Sequence, residues 1–191
     1  MKRNVMSLAL AIVFGATAVA NTTEPVVKEV KTEESSVMWK AYKVTGSHSG
    51  LVQLTEGALT FDGDALVGGN FTVDMTSLIA TDLEGNSKAK LEGHLKSEDF
   101  FGIENHPSST LVFTDVQSTG KNSYEVTGDL TIKGITKPIT FDVSIYGSKA
   151  TATVKVDRAN YNVRYGSGSF FDNLGDKTIY DEFDLVVDLQ F

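Results

Sequence analysis

The chain has no cysteine, and only three prolines and three histidines among its 191 residues. Without cysteine there can be no disulfide, no thiolate metal site and no thiol nucleophile, so the fold must be held by burial and backbone pairing alone. The histidines, His48, His94 and His106, are far apart and show no i, i+4 ligand spacing. They read as surface or hydrogen-bonded residues, and no metal is expected. Basic residues are also scarce, 17 against 25 acidic ones. That balance disfavours nucleic acid and stable anchoring on an anionic membrane surface, and favours solubility. Long apolar runs are missing apart from Val5 to Phe14. That run follows Lys2 and Arg3, is too short to span a bilayer, and leads to Ala18-Val19-Ala20, the small-residue pattern of a secretory cleavage site. Residues 1–20 are therefore expected to be a signal peptide cleaved near Ala20. They carry two of the basic residues and none of the acidic ones, leaving 15 basic against 25 acidic, a net charge of −10.

Residues 21–34 (NTTEPVVKEVKTEE) are polar and charged and read as a flexible leader. No linker or low-complexity stretch follows, so residues 35–191 are expected to form one domain, large enough to bury a core.

What the chain has in abundance is period-two alternation. In 124–132, Tyr124, Val126, Gly128, Leu130 and Ile132 share one face, and Glu125, Thr127, Asp129 and Thr131 the other. The same pattern runs through 70–75 (Phe71, Val73, Met75), 139–145 (Ile139, Phe141, Val143, Ile145), 150–157 and 183–191. It predicts strands with one apolar face, as antiparallel sheets allow. Weaker strand signals cover 36–44, 48–54, 57–62 and 110–117. Asp62-Gly63-Asp64, Gly68-Gly69, Gly120-Lys121-Asn122 and Gly147-Ser148-Lys149 read as the turns of a meander. Residues 86–98 break the pattern: Leu91 and Leu95, four apart among charges, predict a short helix near 87–97. About eight antiparallel strands must stack as a sandwich or close as a barrel, and a barrel of that size can hold one small ligand.

The sequence carries no recognisable catalytic constellation. Gly46-Ser47-His48-Ser49-Gly50 places a histidine where a nucleophile elbow needs serine, and adjacent strand residues face opposite ways, so Ser47 and His48 make a poor nucleophile–base pair. Asp62-Gly63-Asp64 lacks the other ligands of a calcium loop. Two aromatic doublets, Phe100-Phe101 and Phe170-Phe171, lie outside the clearest strands. Burying both members of such a doublet requires apolar surroundings on two sides, so they either plug the ends of the fold or line the mouth of an apolar pocket.

The chain resembles the YceI-like family of exported, lipocalin-like barrels. The resemblance rests on Val37-x-Trp39, Gly46-x-His48-x-Gly50 and Gly69-x-Phe71-x-Val73-Asp74-Met75. It continues through Leu91-x-Gly93-His94-Leu95-Lys96-Ser97-x-Asp99-Phe100-Phe101, His106-Pro107 and Gly128-Asp129-Leu130-Thr131-Ile132-Lys133-Gly134-Ile135-Thr136-Lys137-Pro138-Ile139. In the last motif Lys133 to Lys137 reads as a hairpin connection with Gly134 at positive φ, and Pro138, lacking an N–H, belongs at a strand start or a non-pairing position. Where the family tends to have Arg followed by Phe-Gly, this chain has Arg158 followed by Tyr161-Asn162, and asparagine tolerates the positive φ such a turn needs.

The resemblance implies an all-β, antiparallel, lipocalin-like barrel of about eight strands. It implies a periplasmic or secreted location, no enzymatic activity, no cofactor, and a bound polyisoprenoid or other long-chain amphiphile, for transport, storage or sequestration. It also implies that a homodimer can form. On this reading Phe71, Val73, Met75, Leu91, Leu95, Phe100, Phe113, Phe141 and Ile145 line the interior. His48, His94, Arg158 and Tyr161 are candidates for a head group at the mouth. Two alternatives stand beside it: an interaction or stress-response module with a filled core, and, far behind, a lipid-directed enzyme seeded by His48.

Overall fold

The computed structural model describes residues 24–191; the expected signal peptide lies outside them. Nine strands form one antiparallel sheet: β1 (Val26–Glu29), β2 (Ser36–Lys43), β3 (Gly46–Asp62), β4 (Ala65–Ala80), β5 (Ser108–Gly120), β6 (Ser123–Ile132), β7 (Ile135–Tyr146), β8 (Lys149–Asp157) and β9 (Ile179–Gln190). The order β3-β2-β9-β8-β7-β6-β5-β4 returns to β3 through a β3–β4 pairing, so eight strands close into a barrel. Closure removes the sheet edges and decides between barrel and sandwich. The helix α1 (Gly85–Lys96) follows β4, as the Leu91/Leu95 spacing predicts.

Three expectations need correction. Residues 26–34, read as leader, form β1 and a 3-10 turn, and Val30 is buried. The reason is the length of β3: β2 covers only its first part, and β1 pairs with Ala58–Phe61 along the remaining edge. So short a strand, exposed along its whole length, leaves no alternation to read. The segments 48–54 and 57–62 are one strand, bent where the register with β4 shifts between Leu54 and Glu56. Gly68-Gly69 is not a turn but lies inside β4, opposite Thr60 and Leu59. A Cβ on Gly69 would meet the Phe113 ring at 2.8 Å, so the missing side chain makes room for an aromatic.

The hairpin between β6 and β7 turns on Lys133 and Gly134, with φ of 52° and 73°. In such a two-residue turn Ile132 and Ile135 exchange both backbone hydrogen bonds, and alternate residues of β7 then face away from β6. Pro138 is one of these. Its other neighbour, β8, pairs with β7 only over Val143–Tyr146, so the missing N–H breaks no ladder bond.

The two ends of the barrel differ. At the end of the β3–β4, β5–β6 and β7–β8 turns, the interior is packed by Leu59, Phe61, Leu66, Tyr124, Val126 and Ile145. The other end is capped by α1, the 97–107 loop and the 158–178 segment, where Trp39, Met75, Leu78, Leu95, Phe100 and Val163 form a second cluster.

Candidate functional site

Between the two clusters the barrel is not filled. An apolar cavity of about 180 Å³, the space open to the centre of a water-sized sphere, is bordered by residues of every strand of the ring and by the cap. The burial pattern carries the same information. Inward-facing Phe71, Val73, Leu111, Phe113, Ala152, Phe183, Leu185 and Val187 are only half-buried, although they point into the barrel. In a close-packed core such residues would be sealed.

Two cations hold the cap down. Arg158 lines the cavity yet its side chain is only 3% exposed. Its Nε donates to the Tyr180 carbonyl, Nη1 to those of Val163 and Tyr165, and Nη2 to that of Ile179, with Asp181 3.3 Å away. Burial pulls its pKa down, opposed by the charges of Asp181 and Asp157. Lys133, 12% exposed, donates to the carbonyls of Glu98 and Phe100 at 2.6 and 3.1 Å. The hairpin of the longest motif thereby ties down the loop that carries the Phe100 ring.

A YceI-like domain profile matches residues 29–191. This chain belongs to the YceI-like family. Related sequences include UPF0312 proteins from Pseudomonas putida strain W619, 40% identical over 87 residues (41% of this chain, 45% of that one), and Pectobacterium carotovorum, 29% identical over 127 residues (60% and 63%). The chain spans about half the length of most of the curated relatives it matches. Among solved structures, Burkholderia cenocepacia BcnA superimposes with a TM-score of 0.63 at 23% identity, covering 84% of this chain and 98% of BcnA. A polyisoprenoid binding domain from Saccharophagus degradans, implicated in plant cell wall breakdown, superimposes with a TM-score of 0.56 at 13% identity, covering 85% and 97%. At such identities the two structures establish the shared YceI-like barrel fold.

Of the residues singled out in the sequence, Phe71, Val73, Met75, Leu95, Phe100, Phe113 and Phe141 border the cavity. Leu91 and Ile145 do not. Leu91 packs behind the cap against the second cluster, and Ile145 is buried within the larger cluster at the packed end.

The four mouth candidates part company. Arg158 borders the cavity, but four of its five N–H groups donate to the protein's own carbonyls and its Nη2 also faces Asp181, so it acts as a clamp on the cap and not as a head-group site. Tyr161 is 2% exposed inside the larger cluster, its hydroxyl pKa raised by burial and by Asp157. Asn162, just after it, takes the left-handed conformation with φ 59°, so the turn survives the loss of glycine. His94 stacks edge-on against Tyr165 and Phe100, at 4.2 and 5.7 Å between ring centres. His48 does not border the cavity: its Nδ1 lies 2.8 Å from Asp82 Oδ2, and neither Ser47 nor Ser49 offers its hydroxyl to the ring. Burial pushes the Asp82 pKa up, but the hydrogen bonds from His48 and the Ser49 N–H outweigh it and hold the carboxyl below its ordinary value.

The doublets also separate. Phe100 and Phe101 stack on each other and border the cavity. Phe170 and Phe171 are exposed; Phe171 edges an outer recess beside Asp99, Arg164 and Lys177. Among the described residues no group of three or more histidine or acidic side chains could hold a metal ion, and no helix is long and apolar enough to cross a membrane.

Sequence reasoning passed over Leu130, Val154, Phe183, Leu185 and Val187, which also border the cavity. The same alternation that marked the chosen residues places these on inward faces.

Proposed function

We propose that this YceI-like protein is exported to the periplasm and holds a polyisoprenoid or other long-chain amphiphile inside the barrel, for transport, storage or sequestration. The unfilled, almost wholly apolar interior is the observation that carries this reading. Burial of hydrocarbon contributes about 0.8 kcal/mol per CH₂, so one five-carbon isoprene unit gains up to about 4 kcal/mol before the cost of ordering the chain. Affinity of this kind needs no polar motif, which is why a search for motifs finds none. The Saccharophagus domain, named for polyisoprenoid binding, supports the choice of ligand class through its shared fold. Export rests on the pattern of the first twenty residues. Binding without chemical conversion is the activity proposed, with no cofactor.

The test is lipid extraction and mass spectrometry of protein purified from cells. A stoichiometric long-chain molecule is expected. Its absence, together with failure of the delipidated protein to take up an added polyisoprenoid, would sink the reading.

A second reading, self-association, draws on one outer feature. Ile79, Leu51, Met38 and Val186 stand side by side across four paired strands as an outward apolar row. Sedimentation should then show a dimer that Met38→Glu breaks; a wild-type monomer at high concentration would dismiss it.

A further inference from the structure

Ser109 occupies an inward-facing position on β5, in line with Leu111 and Phe113, where the alternation calls for an apolar side chain. It is 7% exposed and borders the cavity. Its Oγ is buried and has no hydrogen-bond partner among the described residues. A buried hydroxyl left without a partner is costly, and native proteins seldom carry one without a use for it. The other polar groups of the lining are accounted for. Arg158 spends four of its five donors on the carbonyls of Val163, Tyr165, Ile179 and Tyr180, and its Nη2 lies 3.3 Å from the Asp181 carboxylate. Thr110, Thr151 and Tyr180 occupy the outward-facing positions of their strands.

We infer that Ser109 is the polar anchor of the cavity and selects a ligand bearing an oxygen function, a hydroxyl or carbonyl, at one end of its hydrocarbon chain. This deepens the function proposed above and rests on it. The position of Ser109 orients the ligand. It pairs with Val73, and the neighbouring Pro107 carbonyl accepts from the Met75 N–H, which places Ser109 just beneath the 97–107 loop of the cap. The oxygen-bearing end therefore lies under the cap and the hydrocarbon runs toward the packed end. In this arrangement the hydroxyl discriminates, whereas the apolar wall supplies affinity without regard to the ligand's end group. A hydrocarbon of the same skeleton leaves Ser109 unpaired and forgoes that contribution.

The experiment compares farnesol with farnesene, the hydrocarbon of the same skeleton, on delipidated wild type, Ser109→Ala and Ser109→Cys, a near-isostere that hydrogen-bonds weakly. Retention is measured by mass spectrometry after gel filtration, and the melting temperature without ligand is recorded for each protein. Wild type should hold farnesol about tenfold more tightly than farnesene, the scale of one buried hydrogen bond. Both variants should lower that ratio to about threefold or less, mainly by weakening farnesol, and melt no lower than wild type, since they remove an unpaired group. An unchanged ratio in the variants, or equal binding of the two ligands by wild type, overturns the anchor and leaves the lipid-binding cavity standing. A clear drop in melting temperature in both variants also overturns it, because the hydroxyl would then have a structural partner. Binding of neither ligand by wild type overturns the proposed function and the anchor with it.

Discussion

Replacing Ala152 with phenylalanine distinguishes an unfilled barrel from a filled one by the sign of its effect. Ala152 faces inward on β8 between buried Ala150 and Val154, and is only half-buried because it borders the cavity. In a close-packed core an added phenyl ring would push neighbours off their rotamers and cost about 1–3 kcal/mol. Here the ring enters space that is already empty. The void measures about 180 Å³. At about 24 cal/mol per Å³ of void, complete filling would recover on the order of 4 kcal/mol. One phenyl fills part of the space and gives up rotamer freedom, so the expected net gain is about 1 kcal/mol, or about 2–4 °C in Tm for a domain of this size. The same ring should abolish farnesol retention by occupying the site. The assay is guanidinium unfolding of delipidated protein, read as a shift in midpoint at constant slope, alongside retention after gel filtration. A loss of more than about 1 kcal/mol with farnesol retention intact would refute the reasoning, because Ala152 would then be packed against neighbours and the ligand would sit elsewhere.

Two further outcomes concern the Arg158 clamp and three aspartates outside the cavity. Arg158→Leu strands four carbonyls and leaves Asp181 without its cation, and should cost about 3–5 kcal/mol, with faster hydrogen exchange across 158–181; unchanged exchange there would show that Arg158 is not the clamp. Asp74, Asp82 and Asp184 are all held below the ordinary carboxylate range: Asp74 mainly by the Thr76 hydroxyl, Asp82 by His48 and the Ser49 N–H against the opposing effect of burial, and Asp184 mainly by the Tyr42 hydroxyl. As pH falls, the unfolded chain takes up protons first, so this stabilisation is complete above about pH 5 and declines below it. Asp184→Asn should flatten the fall in thermal midpoint between about pH 5 and pH 2.5, and an unchanged slope would refute the assignment.

Much of the barrel wall was legible because its signal is local. Side chains alternate along a strand whatever its partners are, so the inward faces of β6, β7, β8 and β9 could be read one strand at a time. Of the nine interior residues named, seven border the cavity: Phe71, Val73, Met75, Phe113 and Phe141 from strand alternation, Leu95 from helical spacing, and Phe100 from an aromatic doublet. The misses share a cause. Both are apolar, but local spacing does not say what an apolar side chain meets: Leu91 on α1 packs against the second cluster, and Ile145 on β7 faces inward at the packed end of the barrel. The mouth candidates were chosen by residue type, which carries no information about partners. Arg158 looked like a free cation until its carbonyls, between 5 and 22 residues away, came into view.

The amino-acid sequence alone determined the class of structure: strands with one apolar face, hairpin turns at Gly63, Asn122, Gly134 and Gly147 where positive φ is needed, one short helix, and no thiol chemistry. These follow from side-chain period and backbone sterics, which act within a few residues. Tertiary structure decided everything that depends on closure. The β3–β4 pairing turned a sheet into a ring, and β3 outreaching β2 recruited β1 from a stretch that read as leader. The number and registers of the strands set an interior too wide for its side chains to fill, and so created the cavity. The isolation of the Ser109 hydroxyl belongs to that level too. A serine between Ser108 and Thr110 is unremarkable in a sequence, and only the closed wall around it removes both water and protein partners.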